Sequence, residues 1–359
     1  MAIYSVITGT GSYVPPVEMK NEDFLSYEFY DDSGEPISTP TSQIIEKFKD
    51  ITTIETRRYA SKEQSTSDLA LYASQNAIAD AGIDKEELDY ILVAQNFGET
   101  HAGSISMEML PSLASRLKAK LQINNPFAVA YDIVFGCPGW VQAMIQADYF
   151  IKSGDAKKIL VVGADILSRV SDPHDRDSMI YADGAGAVIL EAHETQTPVG
   201  MLAHISRSDA IEYADMLFMG RSYKKDVAEK NELYLKMYGR RLYQYALELV
   251  PSAIKAGLDK VDIHIDKVKK VLIHQANGKM DDAILKRLYR LYGIKDVPSD
   301  VMPMSISWLG NSSVATVPTL LDLVAKDNME GHAIGSGDII VLASVGAGMN
   351  INTIVYKLP

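Results

Sequence analysis

Ala130-Tyr-Asp-Ile-Val-Phe-Gly-Cys-Pro-Gly-Trp140 joins two kinds of apolar pattern. From Phe127 to Val134 the residues are apolar or aromatic apart from Asp132 and predict a strand. From Trp140 to Ile151 apolar residues recur at helical spacing, and Gly154 supplies a stop. The joint carries Cys137, the only cysteine in 359 residues. A thiol at a helix N-terminus faces unpaired N–H groups and the positive end of the dipole, and both favour thiolate. A free thiol is only a few per cent ionised at neutral pH, so a modest shift makes it a better nucleophile. An isolated cysteine is equally at home as a small buried hydrophobe, and the rest of the chain has to decide between the two.

Strand-like and helix-like segments alternate on both sides of this joint. Upstream, Ile3–Thr8 reads as a strand closed by a turn at Gly9-Thr-Gly-Ser12, Thr66–Ala81 as a helix, Asp89–Ala94 as a buried strand and Met107–Leu121 as a helix interrupted at Pro111. Downstream, Lys158–Gly163 and Gly184–Glu191 read as strands. The second half repeats the rhythm. Glu232–Ala256 reads as a long helix broken at Pro251, Val268–His274 as a strand, Lys279–Tyr292 and Ser313–Ala325 as helices, and Asp338–Ser344 and Asn350–Tyr356 as strands. Alternation of this kind predicts an α/β fold of layered sheets and helices, dividing near residues 192–200. Tyr27–Thr41 reads as an exposed loop. Ala203–Asn231 mixes methionine and phenylalanine with lysine, and fits either a covering flap or a lid over a lipid-like ligand. Gly9-Thr-Gly11 lacks the later glycine of a dinucleotide site.

Composition narrows the class. Hydrophobic content of 47% and charged content of 23% are those of a globular protein. No apolar run reaches the ~20 residues of a membrane span, and the N-terminus lacks the basic and apolar regions of a signal peptide. One cysteine forms no internal disulfide, and together these features predict a cytoplasmic protein. A net charge of −12 argues against nucleic acid and requires a local basic patch for any acidic partner. Neither a metal nor a redox cofactor is implied, since the 7 histidines show no ligand spacing.

Two further polar clusters end apolar runs: His274 in Val271-Leu-Ile-His-Gln-Ala-Asn277, and Asn311 in Trp308-Leu-Gly-Asn-Ser-Ser313. A cysteine can carry an acyl group as a thioester, and an imidazole and a carboxamide can donate hydrogen bonds to an oxyanion. Singly, each has a plain structural use, as a satisfied strand-end histidine or a turn with a helix cap.

Gly-Cys-x-Gly at Cys137, His-Gln-Ala-Asn at His274 and Gly-Asn-Ser-Ser-x-Ala-Thr-x-Pro at Asn311 closely resemble the active-site motifs of the ketoacyl-acyl-carrier-protein synthase III family. The resemblance continues in family order through Gly9-Thr-Gly-Ser-Tyr-Val-Pro15, Leu160-Val-Val-Gly-Ala-Asp-Ile-Leu167, Asp172-Pro-His-Asp-Arg176, Asp183-Gly-Ala-Gly-Ala187 and Gly346-Ala-Gly348. It implies the thiolase-like fold, with two similar βαβαβ-type halves at 1–195 and 196–359 in an α-β-α-β-α stack. It implies that Cys137 is acylated by a primer thioester. His274 and Asn311 would hold the malonyl thioester carbonyl during loss of carbon dioxide. A second oxyanion hole would come from the backbone of Cys137 and of Gly346, Ala347 and Gly348. Coenzyme A or carrier-borne primer and malonyl carrier would be the substrates, acyl carrier protein the partner, and a homodimer the assembly. Lys279, Lys286, Arg287 and Arg290 fall on the helix that carries the family's carrier contacts, although such a stripe is otherwise just a solvated face.

The chain departs from the family near Ile51-Thr-Thr-Ile-Glu-Thr-Arg-Arg-Tyr59. Glu55 stands where a coenzyme A-binding arginine is usual, which leaves Arg57, Arg58 and Arg176 for the phosphates and Phe48 for stacking. This predicts a non-housekeeping member. Alternatives are an enzyme joining acyl or 3-oxoacyl thioesters for a specialised lipid, pigment or resorcinol, and a catalytically silent binding subunit.

Overall fold

The computed structural model describes residues 1–228 and 232–359. One sheet contains β1 (Ala2–Tyr13), β2 (Tyr90–Ala94), β3 (Val129–Ile133), β4 (Lys158–Ile166) and β5 (Asp183–Thr195), in the order β1-β5-β4-β2-β3. The other contains β6 (Gly200–Ser208), β7 (Val268–Ile273), β8 (Ile339–Gly346) and β9 (Asn350–Lys357), in the order β6-β9-β8-β7. Read from β1 or from β6, each sheet pairs antiparallel, antiparallel, then parallel, and β3 adds a further parallel edge to the first.

Alternating strand residues divide between layers, as a period of two requires. Ile159 and Val161 of β4 face the same core as Leu272, Leu342 and Ile354 of the second sheet, whereas Leu160 and Val162 face away. Two helices fill the space between the sheets: α2 (Gly139–Ser153) and α5 (Thr316–Ala325). Outside the first sheet lies α1 (Thr66–Ala81), and outside the second lie α3 (Gly239–Asp259) and α4 (Gly278–Arg290). The result is the five-layer α-β-α-β-α stack.

Several expectations are corrected. The Gly9–Ser12 segment is not a turn: β1 runs straight through it. A Cβ at Gly9 would sit 2.5 Å from the Ala77 carbonyl oxygen, and one at Gly11 would sit 2.3 Å from that of Ala73, so these glycines let α1 lie against the strand. The long helix begins only at Gly239, because Tyr234–Met237 is a strand paired with Leu217–Gly220. Pro251 lies within that helix and does not end it. Met107–Glu108 is a short strand, and the helix there is confined to Leu113–Lys120. The first part of the expected flap is the sheet strand β6, and its last residues, 229–231, lie outside the described residues. Among the described residues no helix is long and apolar enough to cross a membrane.

Candidate active site

Cys137 lies two residues before the first residue of α2, after the strand and turn that bring the chain out of β3. Gly136 turns the backbone with φ +68°, a value costly for a residue with a Cβ. On the other side stands the Gly346–Gly348 turn, between β8 and β9. A Cβ on Gly136 would come 2.6 Å from the Ala347 nitrogen, and one on Gly346 would come 2.6 Å from the Cys137 nitrogen. The two turns therefore meet backbone to backbone, which only glycine permits.

His274 follows β7, and its backbone N–H donates to the Ala343 carbonyl of β8 at 2.9 Å. The residue is buried, and burial lowers the imidazole to about 4, opposed by a contact with the Ser313 backbone. It is therefore neutral near pH 7, with one N–H to donate. Its Nδ1 has no partner among the described residues.

Asn311 sits in a short bridge beside Tyr181. Its N–H donates to the Ile180 carbonyl at 3.0 Å, and its carbonyl accepts from the Ala182 N–H at 2.8 Å. The side-chain Oδ1 accepts from the Ser313 N–H at 2.8 Å. With the oxygen occupied, the amide NH2 is the group left to donate to a ligand.

Ser313 connects all three. Its N–H holds the Asn311 carboxamide, its backbone contacts the His274 imidazole, and its Oγ lies 3.5 Å from the Cys137 Sγ. It takes φ +53°, a left-handed conformation unusual for serine. Sulfur, imidazole and carboxamide, spread over 174 positions of sequence, thus converge at one point.

Cys137 corrects one expectation. Burial pushes the thiol up to about 11; a hydrogen bond from Ser313 opposes the rise and nearby Asp165 adds to it. The residue keeps partial solvent access, which tempers the burial effect, but the thiol is protonated at rest. The helix N-terminus favours thiolate and works against that burial.

Comparisons with known proteins bear on the chain as a whole. The family model for 3-oxoacyl-(acyl-carrier-protein) synthase III matches residues 131–209, and the model for its C-terminal part matches 258–358. A beta-ketoacyl-(acyl-carrier-protein) synthase III of Vibrio parahaemolyticus is 33% identical over 357 residues, spanning 99% of this chain and 100% of the relative. One of Paracoccus denitrificans is 31% identical, spanning 98% of this chain and 99% of the relative. The chain belongs to the 3-oxoacyl-(acyl-carrier-protein) synthase III family. The solved synthase III of Thermus thermophilus superposes with a TM-score of 0.80 at 26% identity, covering 99% of each chain. That of Aquifex aeolicus gives 0.79 at 26% identity, covering 98% of this chain and 99% of the other. As a synthase III family member the protein is an acyltransferase with the thiolase fold.

The periphery is less uniform than the resemblance to the synthase III family implied. Arg57 is fully buried, and its guanidinium donates to the Met179 and Met19 carbonyls and to the Asn21 Oδ1. Phe24 and Phe48 cover it, with ring centroids 4.9 and 5.8 Å from the guanidinium carbon. Arg57 is not presented to a ligand: it anchors a small core that the half-buried Phe48 roofs. Arg58 pairs with Glu18 at 2.9 Å, Arg176 is exposed, and Glu55 is held by Lys49 at 3.0 Å. A hollow of about 410 Å³ on this face is lined by Glu22, Glu46 and Glu55 against Lys20 and Lys49, a poor balance for phosphates. On α4, Lys279, Lys286, Arg287 and Arg290 are all exposed, and Lys286 pairs with Asp282.

Sequence reasoning missed Asn96, Asp165 and the role of Ser313. Asp165 accepts from the Asn96 N–H at 2.9 Å and from its Nδ2 at 2.7 Å. The available signal was an aspartate inside the otherwise apolar run Leu160–Leu167.

Proposed function

We propose that the protein forms an acyl thioester on Cys137 and condenses it with a malonyl group borne on acyl carrier protein, releasing carbon dioxide and a 3-oxoacyl thioester. The convergence of Cys137, His274 and Asn311 around Ser313 carries this reading. The sulfur attacks the primer carbonyl, and the N–H groups of the Gly346–Gly348 turn and of Cys137 hold the oxyanion while the primer thiol leaves. The neutral imidazole and the carboxamide then donate to the malonyl thioester oxygen. As the carboxylate departs, the electron pair passes into the enolate these donors stabilise. Its carbon attacks the acyl-cysteine and expels the Cys137 sulfur. Every step runs on protein groups and thioesters, so the reading requires neither metal nor redox cofactor.

The enclosure of Arg57 and the carboxylates around Glu55 favour a primer delivered on carrier protein over one bound through coenzyme A phosphates. The exposed cations of α4 suit an acidic carrier on a protein of net charge −12. The free edge of β3, with Phe127, Val129 and Val134 exposed, supports a homodimer in which a second copy covers it. We also read the protein as cytoplasmic.

Intact-mass measurement after incubation with acyl-coenzyme A and acyl-carrier thioesters tests the assignment, with Cys137→Ala as control. A gain of the acyl mass in the wild type alone is expected, followed by malonyl-dependent release of carbon dioxide. Equal gain in both proteins would show that the nucleophile lies elsewhere. The lack of any adduct would return the protein to a silent binding role.

A further inference from the structure

A buried thiol with its proton still attached has to lose that proton when it attacks. His274 contacts the Ser313 backbone and is assigned above to the malonyl carbonyl. Another group adjoins the sulfur's own hydrogen-bond partner through Asn96. Asp165, at the end of β4, is 1% exposed, and no lysine or arginine pairs with it among the described residues. Its carboxylate is bonded by the Asn96 N–H and Nδ2, and the Ser313 hydroxyl is close enough to help hold it charged. Asn96 Nδ2 in addition donates to the Ser313 Oγ at 2.9 Å. That bond occupies an Oγ lone pair and leaves the hydroxyl hydrogen to choose between the Cys137 Sγ at 3.5 Å and the Asp165 carboxylate.

We infer that Asp165 is the proton acceptor for Cys137, working through the Ser313 hydroxyl, with Asn96 fixing the geometry of both. The inference rests on Cys137 being the nucleophile proposed above. As the sulfur lone pair forms the bond to the primer carbonyl carbon, the thiol hydrogen passes to the Ser313 Oγ, and the serine's own hydrogen passes to the Asp165 carboxylate. When the tetrahedral adduct collapses, the carbon–sulfur bond to the departing thiol breaks, and that thiolate leaves. Asp165 keeps the proton until condensation expels the Cys137 thiolate, which takes it back by the same route. The departing primer thiolate is protonated by solvent. Ser313 touches the reacting sulfur and is a catalytic residue in this scheme, whereas Asp165 and Asn96 act through it.

The surroundings suit the task. Burial raises Asp165 to about 7, opposed by the Asn96 and Ser313 hydrogen bonds, near where a general base is most effective at physiological pH. Cys137 is the titratable group that faces it across Ser313. His274 contacts the backbone of that serine, and Asp183, on neighbouring β5, is committed to Ser168 and the Ala60 N–H. The left-handed backbone of Ser313 has a use on this reading, since it lets one residue serve the carboxamide with its N–H and the sulfur with its hydroxyl.

The test is the rate of Cys137 alkylation by iodoacetamide between pH 5 and 10, with acylation by a primer thioester measured in parallel. In the wild type the alkylation profile is expected to rise with an inflection near 7. Asp165→Asn and Ser313→Ala should lose that inflection and react about 10²-fold more slowly at pH 7.5. A purely electrostatic aspartate predicts the opposite sign, because removing a negative charge beside the sulfur favours thiolate and speeds alkylation. Faster alkylation in Asp165→Asn, or an unchanged profile in Ser313→Ala, overturns the inference. If Asp165→Asn does not fold, Ser313→Ala decides alone. Alkylation requires no thioester, so the relay is judged even if the wild type forms no acyl adduct, an outcome that would instead count against the proposed function.

Discussion

At position 313 a single serine holds φ at +53° and touches Cys137, His274 and Asn311. Strain of this kind persists where surrounding contacts over-determine it, and here the Asn311 carboxamide and the Cys137 sulfur are those contacts. The imidazole it contacts has a measurable signature. Burial brings His274 down to about 4, below the ~6.5 of an unfolded histidine, so the unfolded chain takes up the proton first. His274 therefore withdraws stability as pH falls from about 6.5 towards 4. The raised carboxyls Asp165 and Asp183 act with the opposite sign as pH climbs through about 7 and 6, but they are common to wild type and variant. His274→Asn, which has nothing to protonate there, should lose Tm more gently over that acid window. Parallel Tm curves for the two proteins would mean that the imidazole is not held neutral by burial.

Among elements, the meeting of the Gly346–Gly348 turn with the start of α2 is the tightest approach in the site. A methyl group on residue 346 would stand against backbone atoms of Cys137, which cannot rotate away. Gly346→Ala should therefore displace the nucleophile and slow acylation by about 10²-fold, read by intact mass against time. Wild-type acylation would mean that the two turns separate freely. The helix from Trp140, the strand from Asp89 and the helix Thr66–Ala81 were legible because their apolar residues keep one period over many positions. Tyr234–Met237 was not. One of its two inward residues is Lys236, buried between Asp172 at 2.6 Å and Asp175 at 3.0 Å, so the alternation that marks a strand is hidden behind a charge. The glycines of β1 misled for another reason: they usually punctuate turns, and only the packing of α1 shows why they sit in a strand. Cys137, His274 and Asn311, which the structure brings together at Ser313, stood out in the sequence because each lies in a motif at the end of an apolar run or turn. Arg57 was read as a ligand contact since no pattern distinguishes an inward arginine from an outward one.

For the whole molecule, the distribution of charge sets how substrates arrive. A net charge of −12 repels an acidic carrier everywhere except where cations gather. Lys279 and Arg290 carry no ion pair among the described residues and are exposed on α4, so they offer more of their charge than Lys286, which Asp282 partly neutralises. Lys279→Glu with Arg290→Glu should raise KM for malonyl carrier about tenfold or more at low salt. The difference should shrink as ionic strength rises, while iodoacetamide alkylation of Cys137 stays unchanged. An unaltered KM would move the carrier's landing place to another face.

Cys137 belongs to the first sheet's connections and His274 to the second's, and α2 and α5 lie enclosed between the two sheets. A chain with one sheet assembled and the other still loose would display a bare sulfur with no channel around it. Chemical shielding of that lone thiol is thus a gauge of maturation, reporting from inside the molecule whether its two sheets have closed on each other.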